Sequence, residues 1–106
     1  MEQMTMATSL IMQLTLEECC QRVELPEDIL IEIVEYGIVE PGGTTPGEWR
    51  FDTAALSRLR QARRLQQDLE LDWAAVAVAM DLLGEVERLR AENDNLKRRL
   101  LRFLEP

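Results

Sequence analysis

Between Ala79 and Phe103 the side chains of one stripe fall at alternating steps of three and four: Ala79, Leu82, Val86, Leu89, Asn93, Leu96, Leu100 and Phe103. An a/d repeat sustained over more than three heptads keeps that stripe on one side of a helix, so it predicts a long C-terminal helix with a coiled-coil seam. Glu85 and Glu92 fall at g positions and Arg90 and Lys97 at e positions, which sets opposite charges across a parallel pair. Asn93 at an a position favours the same arrangement, because facing amides hydrogen-bond to each other while an amide against Leu cannot. Gly84 falls at an outward f position, where it costs about 1 kcal/mol of helix propensity but no packing. The expected dimerisation residues are therefore Leu82, Val86, Leu89, Asn93, Leu96, Leu100 and Phe103. An antiparallel pair can be built from the same stripe, and a helix folded back on its own predecessor would bury it within one chain.

The 106 residues, 46 % of them hydrophobic, suffice for one compact core with a projecting element. We divide the chain into residues 1–71, a globular unit, and residues 72–106, the helical arm. Within the first unit, Ser9 to Leu14 is apolar and loosely alternating, which predicts a short strand. Thr15 and Glu18 form a T-x-x-E capping box that opens a helix running to about Arg22. Pro26 suits the first position of a second helix, which Gly37 ends. The loop from Gly42 to Gly47 precedes Glu48-Trp49-Arg50-Phe51, read as a strand with Trp49 and Phe51 on one face, the shape of a small wing. Asp52 or Thr53 caps a third helix with an inward stripe of Leu56, Leu59, Ala62, Leu65 and Leu69, and Asp72 caps a fourth beginning near Trp73.

Charge is divided unevenly along this frame. Residues 1–52 hold 11 carboxylates and 2 arginines, a balance of −9, while residues 53–106 hold 9 acids and 10 bases, a balance of +1. The second helix carries Glu27, Asp28, Glu32 and Glu35 and no Lys or Arg. It stands where a helix-turn-helix protein carries its DNA-reading helix, and phosphate would repel it. With Leu30, Ile33 and Val34 turned inward, Asp28, Ile31, Glu32 and Glu35 fall outward at helical spacing. An exposed Ile31 ringed by carboxylates fits a contact with an apolar centre and a charged rim, although a charge run of this kind is also the ordinary solvated face of a helix.

Other chemistry finds little footing. The chain has no His, no nucleophile elbow, no carboxylate pair in an evident cleft and no phosphate-cradling loop, since its Gly-rich segment leads into a strand and not a helix; neither catalysis nor a cofactor is expected. Cys19 and Cys20 are adjacent, where a disulfide is sterically difficult, so both read as reduced thiols of a cytoplasmic protein. The first residues lack the basic and apolar regions of a signal peptide, and no apolar run reaches the length of a membrane span. Arg58, Arg60, Arg63 and Arg64 make a short basic run without aromatic platforms, a weak nucleic-acid signal; Trp49, Phe51 and Trp73 are of the type that anchors interfaces, but their place in amphipathic patterns favours packing of the wing and the helix joint.

Set against known families, Thr15-Leu16-Glu17-Glu18, the run from Leu30 to Pro41, the wing and the terminal coiled coil together resemble MerR-type winged helix-turn-helix regulators. Those regulators carry an Arg-Tyr-Tyr run where this chain has Ile31-Glu32-Ile33, so their basic and phenolic phosphate contacts are missing. The segments GIVEP, EWRFD, LELDWAAVAVAMDLL and ENDNLKRRLLRFL resemble the chaperone modulatory protein family CbpM over nearly the whole chain. The resemblance implies a mainly α fold, MerR-like, with a small β wing and a long C-terminal helix. It also implies an inhibitor that binds the J-domain of a DnaJ-type co-chaperone (CbpA), blocking its stimulation of Hsp70 and its DNA binding. A J-domain engages Hsp70 through a basic helix, so Glu27, Asp28, Ile31, Glu32 and Glu35 are the candidate contact residues. The competing expectation is a MerR-type transcriptional regulator that binds DNA as a dimer.

Overall fold

The computed structural model describes residues 13–105, and its framework is four α-helices: α1 (Leu16–Val23), α2 (Glu27–Glu35), α3 (Thr53–Leu69) and α4 (Trp73–Leu104). Their ends follow the capping chemistry of the sequence. Thr15 Oγ1 accepts from the Glu18 amide at 3.2 Å while the Glu18 carboxylate accepts from the Thr15 amide at 2.9 Å, a reciprocal box at the start of α1. Asp52 and Asp72 cap α3 and α4 through the amides of Ala55 and Ala75, each at 2.8 Å. Pro26 occupies the cap position of α2 itself and not its first helical turn, with an extended ψ of 153°.

The end of α2 is a Schellman motif. Gly37 takes φ +76°, its amide bonds the Val34 carbonyl, and the Ile38 amide bonds the Ile33 carbonyl. The turn swings Ile38 and Val39 back into the core, where both are buried. Around them pack Leu16, Cys19 and Val23 of α1, Leu30 and Ile33 of α2, Leu56, Leu59 and Ala62 of α3, and Val76 and Met80 of α4. Leu65 is only partly buried, and Leu69, expected to complete the inward stripe of α3, is 59 % exposed because that helix outruns the core.

The expected β wing is corrected by the structure. No strand forms among the described residues; two isolated antiparallel bridges, Leu14 to Phe51 and Gly42 to Arg50, stand in its place. Pro46–Glu48 coils into a 3-10 turn, which takes Glu48, the first residue of the expected strand, out of extended pairing. The expected strand over Ser9–Leu14 lies, apart from Gln13 and Leu14, outside the described residues. The side-chain alternation nevertheless holds: Trp49 and Phe51 are both buried, edge to face with ring centroids 6.2 Å apart.

Candidate functional site

Two surfaces stand out, the outward face of α2 and the free length of α4. On α2, Leu30 and Ile33 are fully buried and anchor the helix, which leaves Glu27, Asp28 and Glu35 exposed on the outside. Glu32 is half-buried between them. Ile31 departs from the expectation of an exposed apolar centre: it is half-buried and packs against the core. At about 100° per residue it lies on the flank of the inward stripe and not opposite to it, so one edge of its side chain is shielded. The exposed aromatic of this helix is Tyr36, 47 % accessible at its C-cap, a residue that helical spacing did not single out.

No base follows in the last turn of α2, so its carboxylates meet the helix dipole without neutralisation at the C-terminal end. A basic group reaches that end from α3, where Arg58 Nε donates to the Ile38 carbonyl at 2.8 Å. The face therefore presents negative charge on a helix anchored by Leu30 and Ile33. Among the described residues no group of three His, Cys, Asp or Glu side chains is placed to hold a metal ion.

The long helix α4 divides in two. Its first turns dock on α3, burying Val76 and Met80, and from Asp81 onward every described residue is exposed. By the helical step of about 100°, the seam lies on the side nearly opposite Val76 and Met80, so the docking that fixes the helix turns the seam outward. Leu82, Val86, Leu89, Leu96, Leu100 and Phe103 range from 41 % to 86 % accessible, and Asn93 is exposed among them. The fold-back arrangement, with the seam buried against α3, is thereby excluded. Glu85 and Glu92, placed at g positions for a partner's cations, are both held by Arg88 of the same helix, Glu92 at 3.0 Å. The Arg88 guanidinium lowers the Glu85 carboxyl below its ordinary range. Leu83, Leu101 and Leu104 are also exposed but sit off the a/d positions, so the heptad template missed them.

Residues 14–98 match the family model described as MerR HTH family regulatory protein. The chain is 51 % identical over 98 residues to the chaperone modulatory protein CbpM of Pseudomonas putida strain W619, covering 92 % of this chain and 97 % of that protein. The CbpM of Pseudomonas entomophila strain L48 is 52 % identical over the same span and coverage. That of Salmonella newport strain SL254 is 43 % identical over 90 residues, 85 % of this chain and 89 % of the relative. The chain belongs to the CbpM family of chaperone modulatory proteins. The MerR-type match takes in the helix-turn-helix and most of α4, so this CbpM family member keeps the regulator's frame while its α2 carries acid where a DNA reader needs base. No helix among the described residues is long and apolar enough to cross a membrane.

Proposed function

We propose that this chain is a non-enzymatic, cytoplasmic chaperone modulator that binds the J-domain of a DnaJ-type, CbpA-like co-chaperone and inhibits its stimulation of Hsp70 and its DNA binding. The contact is the acidic face of α2: Glu27, Asp28 and Glu35 as exposed charges, Glu32 and Ile31 as the half-buried middle. The observation that carries the reading is a CbpM family chain whose α2, in the recognition position of a helix-turn-helix, has no Lys or Arg. A basic partner helix gains there both steering and charge-assisted bonds, and loses both with salt. Residues 72–106 act as the dimerisation arm, through Leu82, Val86, Leu89, Asn93, Leu96, Leu100 and Phe103, since exposed apolar stripes of this length mark contact surfaces.

Titration of the purified chain into a J-domain fragment at low and moderate salt tests the reading. Micromolar or tighter binding that weakens with salt is expected, and its loss in the triple variant Asp28→Lys, Glu32→Lys, Glu35→Lys places the face. No interaction at micromolar concentration rejects the partner; unchanged affinity in the variant moves the site elsewhere. The family description as a MerR regulator supports a second reading, a dimeric DNA-binding regulator. A gel shift with promoter duplex discriminates the two, because only that reading requires salt-sensitive duplex binding.

A further inference from the structure

Arg60, Arg63, Arg64 and Gln67 follow at i, i+3, i+4 and i+7, one face of α3, and α1 brings Arg22 opposite them. Between the helices opens a cleft of about 490 Å³ whose floor includes Val23 and Leu56. One carboxylate already lies at its edge: Glu24 Oε2 stands 3.7 Å from Arg63 Nη1. That pair is loose, with the Glu24 side chain 78 % exposed, so it holds the acid near the arginines without fixing it. Four arginines therefore line one concave site in a protein whose net charge is −8, and among the described residues Glu24 is the one carboxylate that lines it with them.

We propose that this cleft is a second docking site, for an acidic peptide segment of a partner protein, whose carboxylates replace Glu24 on Arg63 and engage Arg22, Arg60 and Arg64. This goes beyond the binding of a basic J-domain helix by α2, since no residue of α2 lines the cleft. Guanidinium forks match carboxylates in bidentate geometry. A nucleic-acid backbone repeats its charge every few ångströms and would run its flanking phosphates along the acidic N-terminal half; a short peptide confines its charge to the cleft. Glu24 acts as an internal competitor, so the site is tuned by one side chain.

The test is fluorescence anisotropy of a short fluorescein-labelled poly-glutamate peptide titrated with the full chain, beside a single-stranded oligonucleotide of equal charge. Saturable peptide binding is expected, weakened about tenfold or more in Arg60→Gln/Arg64→Gln, the scale of losing one charge-assisted hydrogen bond. Both arginines are exposed, and an unchanged thermal midpoint checks that the fold is intact. Glu24→Gln removes the competitor and is expected to tighten binding while leaving the arginines in place. Absence of saturable peptide binding, equal affinity in the double arginine variant, weaker binding in Glu24→Gln or tighter binding of the oligonucleotide each overturns the proposal.

Discussion

Arg58 crosses from α3 to the turn after α2, its Nε donating to the Ile38 carbonyl at 2.8 Å. The acceptor belongs to a buried residue in the Schellman turn, and the donor is charged, so the bond ties the acidic helix to the rest of the core. Read along the sequence, Arg58 is one more base in a cationic run; in the fold it serves the position of α2.

Arg58→Ala is therefore expected to cost about 1.5–3 kcal/mol, the range for a hydrogen bond to a charged group. Urea unfolding measures the loss, and amide exchange should rise first at Ile38 and Val39. Arg60→Ala, which makes no such bond, is the comparison and should fall within about 0.5 kcal/mol of the parent.

Gly43 and Gly37 both have positive φ, +96° and +76°, yet their substitution costs should differ. A Cβ on Gly43 would stand 2.6 Å from the Glu48 backbone oxygen, an atom that cannot swing aside, whereas one on Gly37 meets nothing within 4 Å. Gly37→Ala should cost about 1 kcal/mol of left-handed strain, and Gly43→Ala that amount plus displacement of the Pro46–Glu48 turn. Thermal melts of the two variants give the ranking, and an equal loss would mean that the turn yields freely.

Cys19 is fully buried, and burial pushes its thiol up to about 11; Cys20, half-buried, is raised too, by burial first and then by Glu27 and Glu17. The thiolate is the reactive form, so iodoacetamide at mild pH should modify Cys20 slowly and Cys19 only on unfolding. Mass spectrometry of the adducts decides it. The raised Cys19 value also has a stability consequence: its contribution is complete below the ordinary value of 9.0 and is lost as pH rises toward about 11.

Much of this architecture was legible because capping is local chemistry. Thr15, Gly37, Asp52 and Asp72 mark helix ends through bonds reaching three residues or fewer, and each stands where its side chain or backbone freedom predicts. The wing was not, because alternation at Trp49 and Phe51 reports burial and extended backbone but not whether a partner strand supplies a ladder. The half-burial of Ile31 escapes the sequence for a similar reason: spacing gives its direction, but exposure depends on neighbours contributed by other elements. The cleft was invisible for the same cause, since only the docking of α1 on α3 brings Arg22 to face Arg60, Arg63 and Arg64.

The Glu18 carboxyl is held below its ordinary 4.5 chiefly by hydrogen bonding to the Thr15 backbone amide, then to its hydroxyl. A depressed carboxyl stabilises the fold above the unfolded value, and that contribution disappears as pH falls below 4.5 and through the folded value. Glu18→Gln keeps an acceptor for the box but removes the titration. Its stability should depend less on pH than the parent's in the acid limb, as read by urea midpoints across that limb; parallel curves would reject the assignment.

Leu89 lies at the middle of the exposed seam, 49 % accessible and beyond the last core residue of α4, Met80. In a two-fold dimer one substitution removes two such side chains from the interface, one from each copy. Truncation of a buried leucine costs at least about 2 kcal/mol, so Leu89→Ala should weaken the proposed dimer roughly a thousandfold, a scale set by about 1.4 kcal/mol per decade. Because the globular core packs only on the first turns of the helix, the melting of that core should be unchanged where both proteins are monomeric. Asn93→Leu is expected to act in the opposite direction, tightening association while admitting other orientations or oligomers, because the paired amide that favours a parallel dimer is gone. A sedimentation concentration series on the three proteins reads all of this at once. A parent chain that stays monomeric throughout would mean that the seam is covered by a different partner.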